Sequence, residues 1–140
     1  MKGVTHYILA ASNILGLPAL IRACTWTDKA LVFSIMAAST LMHISETKHE
    51  LDPPILKDWS YALLNVDRGV ALTAGMIFAW KFFQIHYNRQ VQVLAVGFLG
   101  ALCMLLGEIK TSNPTYNNLV YPSLHTIWHA SVYYCAYLLV

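Results

Sequence analysis

Apolar residues in this chain gather into long, nearly continuous runs, and short polar or proline-bearing stretches separate one run from the next. A helix needs about 20 mostly apolar residues to cross a hydrocarbon core of roughly 30 Å. By that measure five segments stand out: Val4 to Ala23, Ala30 to Ile44 with its end blurred by Ser45 and Glu46, Trp59 to Phe83, Val91 to Ile109, and Leu119 to Val140. The stretches between them carry turn-forming or charged residues: Thr25 to Asp28, Glu46 to Asp58 with Pro53 and Pro54, His86 to Gln90, and Lys110 to Asn118 with Pro114. The pattern predicts an all-α fold, a multi-pass transmembrane helix bundle of about five helices forming a single domain over residues 1–140. Spans of that length leave only short connections, so no domain outside the membrane is expected.

Composition supports the same solvent. The chain is 57% hydrophobic and 11% charged, with a mean hydropathy of +0.51, whereas a soluble domain devotes roughly 25% of its residues to charge. Too few ionic side chains remain to coat a water-facing sphere, and an integral membrane location follows. The net charge of +2 is scattered, with no basic run able to neutralise several phosphates, so no nucleic-acid partner is expected. Cys24, Cys103 and Cys135 are odd in number and lie in or beside apolar stretches, which suggests buried free thiols. Trp26, Trp59, Trp80, Tyr87, Tyr116 and Tyr121 fall near the expected helix ends, where interfacial aromatics belong, and Lys81 is placed to snorkel outward beside Trp80. Lysines and arginines divide evenly between the two faces of such a bundle, so charge does not orient it. Lys2 before the first apolar run resembles a signal-peptide start, but the run is long and no clear cleavage site follows, so it is read as a span. Pro18 is expected to bend it.

Polar side chains inside spans are costly and therefore mark functional candidates. Ser39 and His43, four residues apart, share one helical face near the end of the second segment; His125 and His129 repeat that spacing in the fifth. Asp67 lies about two turns into the third. Because the chain alternates direction, all of these fall in the same leaflet, and three imidazoles, a carboxylate and a hydroxyl can converge. Two His at i and i+4 offer two nitrogens on one side of a helix, and a third completes a face for a metal at ~2.0–2.1 Å, with a fourth position open. Imidazole also suits copper, iron or nickel; three His with a nearby acid favour zinc, with Asp67 as an orienter of a ligand or a general base and Ser39 as a hydrogen-bond donor to water or an oxyanion. A lone membrane His is more often an interhelical hydrogen-bonder, and it is the pair, the third His and the acid at matching depth that carry weight. His6 is a weaker candidate ligand. His49 and His86 are expected to be solvated. Glu108 fits either the pocket or the interface, and Arg68 near mid-membrane requires water or a counter-charge, which Glu108 or a lipid headgroup could supply. Asn13 and Asn65 are expected to serve helix packing.

Ser39-Thr-Leu-Met-His43 on one segment, Asn-Val-Asp67-Arg-Gly on the next and His125-Thr-Ile-Trp-His129 on the last resemble the signature of the CREST superfamily of membrane hydrolases, from Ser39 to His129. That group includes alkaline ceramidases, the progestin and adiponectin receptor proteins, lipid-remodelling proteins of GPI anchors and the family of myomaker. The resemblance implies a zinc ion held by His43, His125 and His129, with Asp67 and Ser39 as catalytic residues acting on an amide (ceramide-like) or ester bond of a membrane lipid. Those families usually have seven spans. Removing two adjacent spans before the last preserves its direction, and lateral access for lipid or homo-oligomer formation would compensate for a smaller enclosure. Two other readings compete: a haem-binding electron carrier, and a noncatalytic receptor-like protein that keeps a metal to pin its helices. A rhomboid-type protease is disfavoured, because no Gly-x-Ser-x-Gly segment occurs.

Overall fold

The computed structural model describes residues 4–46, 56–109, 113 and 115–140; His49, Lys2, Lys48, Lys110, Pro53, Pro54 and Pro114 lie outside the described residues. All regular structure among the described residues is helical. The predicted first segment is α1 (Val4–Ser12), a 3₁₀ turn (Asn13–Gly16) and α2 (Leu17–Arg22) in succession. The remaining elements are α3 (Trp26–Ser45), a short 3₁₀ turn (Lys57–Trp59) leading into α4 (Ser60–Phe82), α5 (Tyr87–Gly107), a π turn (Tyr116–Val120) and α6 (Tyr121–Leu139).

Local chemistry explains where the helices begin and break. Pro18 lacks an N–H and its ring crowds the carbonyl four residues earlier, and the chain tightens to 3₁₀ at Asn13–Gly16 just ahead of it. α3 starts at Trp26, four residues before Ala30, because Thr25 is extended and its hydroxyl accepts the Asp28 N–H at 3.0 Å. Such a cap satisfies an amide left open at a helix start, and the Asp28 carboxylate favours the positive end of the helix. Between α4 and α5 the turn is only four residues long, and the Gln90 side chain donates to the Phe82 carbonyl at 2.9 Å across it.

α6 is the centre of the packing. It lies along α5 and against α1, the 3₁₀ turn and α2, while α3 packs on α1 and α4. Gly100 brings α5 close to α6: a Cβ there would stand 2.6 Å from the Ser131 Cβ. A small apolar cluster of Ala19, Val32 and Ala136 closes the end of the bundle away from the histidines. α4 leans on α3 and barely on α6, and α4 and α5, although consecutive, scarcely touch. Ala74 is the sole buried residue described on α4. Two helices, Lys57–Phe82 and Tyr87–Gly107, are long and apolar enough to cross a membrane.

Several sequence expectations change here. Lys81 does not reach outward: its ammonium pairs with the buried Asp28 at 2.9 and 3.0 Å, tying the end of α4 to the start of α3. Trp26, Trp59, Trp80 and Tyr87 are exposed at helix ends as expected, but Tyr121 is 1% exposed and points inward. Asn13 does pack between helices, with its amide donating to the carbonyls of Leu9 and Ala10 and its oxygen accepting from Tyr133. Asn65 is exposed on α4 instead. The three cysteines are free; Cys103 is buried, Cys135 half-buried and Cys24 exposed in the bend before α3.

Candidate metal centre

The i, i+4 spacing on α6 and the last turn of α3 bring His125, His129 and His43 together, all buried, with one ring nitrogen of each within 4.8 Å of the others. Ring centroids stand 4.7 Å apart for His43 and His125, 5.1 Å for His43 and His129, and 4.8 Å for His125 and His129. Rings in such direct contact leave no slot for a porphyrin between any two of them. Nε2 of His43 and Nε2 of His129 are 3.4 Å apart. Two nitrogens held at ~2.0–2.1 Å on a common tetrahedral ion would be separated by about 3.3 Å. The donor set therefore fits a metal ion; imidazole alone suits zinc and several other transition metals.

Each of two rings is also gripped from behind. Nδ1 of His43 is 3.1 Å from Oε2 of Glu46, the residue that caps α3. Tyr121 donates its hydroxyl to the same carboxylate, at 3.0 Å to Oε1 and 3.2 Å to Oε2. Burial opposes the charge of Glu46, but the hydrogen bond and charge of His43, with help from Tyr121, outweigh it and hold the carboxyl down at about 2. A carboxylate behind a ligating imidazole is the usual means of fixing its orientation. Nδ1 of His129 meets the Ser12 hydroxyl at 2.6 Å.

Of the other expected residues, Ser39 Oγ lies 3.3 Å from His129 Nε2, beside the nitrogen that would face the ion. Asp67 makes no hydrogen bond to the imidazoles among the described residues, but it lines the same cavity from α4, where it is half-buried. That cavity has a volume of about 630 Å³, within the range of roughly 300–1,000 Å³ common for small-molecule sites. Its walls come from α3, α4, α5 and α6, and it sits where α4 and α5 part. Ile35, Met42, Leu64, Met104, Trp128 and Val132 make it largely apolar; Arg68 and Glu108 both line it as well. His6 is buried on α1 but does not join the cluster of His43, His125 and His129. His86 is exposed at the start of α5.

Glu46, Tyr121 and Ser12 are the site residues that the sequence does not single out. Glu46 had a signal, since it stands three residues after His43. Ser12 had none, because its role depends on where α1 meets α6. Comparison of the chain with protein-family models, with curated proteins and with solved structures finds no match.

Proposed function

We propose that this chain is a compact multi-pass membrane hydrolase that uses zinc on His43, His125 and His129 to cleave an amide or ester bond of a bilayer lipid. The observation that carries the reading is the buried three-imidazole cluster with its 3.4 Å Nε2 to Nε2 separation, opening onto a largely apolar cavity that also holds a carboxylate. The sequence resemblance through Ser39, His43, Asp67, His125 and His129 points the same way, and the bare apolar surface of α4 suits contact with lipid.

Zinc, when bound, supplies a Lewis acid that polarises a carbonyl and makes water a better nucleophile at neutral pH. Asp67 accepts the proton of the attacking water and returns it to the departing amine or alkoxide. Ser39, beside His129 Nε2, donates a hydrogen bond to the carbonyl oxygen as its charge grows. The apolar wall of Leu64, Met104 and Trp128 receives an acyl chain entering between α4 and α5. Ceramide-like amides are the first substrate class and glycerophospholipid esters the second.

The test is metal analysis of the purified protein together with fatty-acid release from a panel of ceramides and phospholipids, beside His125→Ala. Bound zinc and release by the wild type alone are expected. Equal release by both proteins would overturn the proposal.

A further inference from the structure

α1 contributes no ligand, yet its last residue ends in the site. Ser12 Oγ is 2.7 Å from the carbonyl oxygen of Leu9 and 2.6 Å from Nδ1 of His129. A hydroxyl has one proton, and a carbonyl can only accept. The Ser12 proton is therefore committed to Leu9, and the serine oxygen must accept from His129. That makes His129 the Nδ1–H tautomer, with its lone pair on Nε2. The neighbouring contact agrees, because Ser39 Oγ can donate to that same Nε2 at 3.3 Å.

His43 obeys the same logic. Its Nδ1 faces a carboxylate and donates to it, so the neutral ring carries its lone pair on Nε2. With both rings neutral, the two Nε2 acceptors stand 3.4 Å apart, about the distance two ligands of one ion would keep.

We infer that Ser12 is a positioning residue of the metal centre, fixing the tautomer and ring orientation of His129 from a separate helix. This rests on reading the three histidines as a metal site. A second anchor keeps Ser12 in register. The next residue, Asn13, is 2% exposed and accepts a hydrogen bond from Tyr133, which follows His129 by one turn of α6. Two consecutive residues where α1 meets the 3₁₀ turn therefore engage two positions one turn apart on α6.

The experiment uses the full chain in detergent, stripped of metal and labelled with ¹⁵N in its histidines. Long-range nitrogen–proton correlation spectra of the wild type should show His129 as the Nδ1–H form; an Nε2–H form in the wild type overturns the inference with no variant needed. Ser12→Ala should shift His129 to the other tautomer or a mixture, and Ser12→Thr, which keeps the oxygen, should restore the wild-type signature. Zinc affinity measured by chelator competition should fall about 10–100-fold in Ser12→Ala and recover in Ser12→Thr. An unchanged tautomer and unchanged affinity in Ser12→Ala overturn the inference. A wild type that binds no zinc sinks the hydrolase reading and with it the metal-positioning role of Ser12, whereas a wild type that binds zinc and is indifferent to Ser12→Ala overturns this inference alone.

Discussion

The hydroxyl of Tyr121 bridges both oxygens of Glu46, at 3.0 and 3.2 Å, while that carboxylate holds His43 from behind at 3.1 Å. The order of dependence is therefore Tyr121 to Glu46 to His43. Removing the middle member should matter most. Glu46→Ala is expected to weaken zinc binding about 10–100-fold, and Tyr121→Phe, which leaves the carboxylate in place, by less. Competition with a chromogenic chelator measures both.

Asp67 lines the same cavity as His125 and His129 and touches no imidazole by hydrogen bond among the described residues. Asp67→Asn should therefore keep the metal and lose lipid hydrolysis by about 10²–10⁴-fold, the usual contribution of a general base. Metal content and fatty-acid release measured on one preparation separate this outcome from that of a protein whose metal serves structure alone, in which Asn at this position would leave function intact.

The ligands come from α3 and α6, so an ion that binds them cross-links the bundle. At a hundredfold excess over its Kd, zinc should stabilise the fold by about 2.7 kcal/mol. Chelation should lower the thermal midpoint of the wild type and leave that of His129→Ala unmoved. A scanning fluorescence melt with and without chelator reads the difference.

Gly100 and Gly69 make a matched pair for packing. A methyl on Gly100 meets the Ser131 Cβ at 2.6 Å, a backbone-proximal atom with little freedom to move, whereas a methyl on Gly69 meets nothing within 4 Å. Gly100→Ala should cost about 1–3 kcal/mol through overpacking. Gly69→Ala should be neutral or stabilising by up to about 1 kcal/mol. Denaturation of both variants in the same detergent gives the comparison.

Lys81 and Asp28 join the far ends of α4 and α3, with the Asp28 side chain 7% exposed. Lys81→Met should leave a buried carboxylate short of its partner and cost about 1–3 kcal/mol. Asp28→Asn with Lys81→Met should recover part of that loss, as the double-mutant cycle would show.

Much of the arrangement is legible in the chain itself. Apolar runs mark where the helices fall, although the first run folds as α1, a 3₁₀ turn and α2, and two helices among the described residues are long and apolar enough to cross a membrane; the four-residue spacing of His125 and His129 sets two rings on one face with no tertiary information. Boundaries are less legible: the start of α3 depends on the Thr25 cap, which lies outside the apolar run that defines the helix. Tyr121 shows a real ambiguity, since an aromatic at a helix start serves the interface or the interior with equal ease and its direction is decided by Glu46, 75 residues away. Ser12 is the clearest case of information absent from local sequence. A serine after two alanines in an apolar helix carries no mark of its partner, and only the packing of α1 on α6 gives it one.

His43 and His129 are separated by 86 positions along the chain. Nothing made before α6 can complete the cage, since that helix carries two of the three rings. An ion on these three rings would therefore bind only after α6 has packed against α3, which makes metal capture a late step in the folding of this bundle.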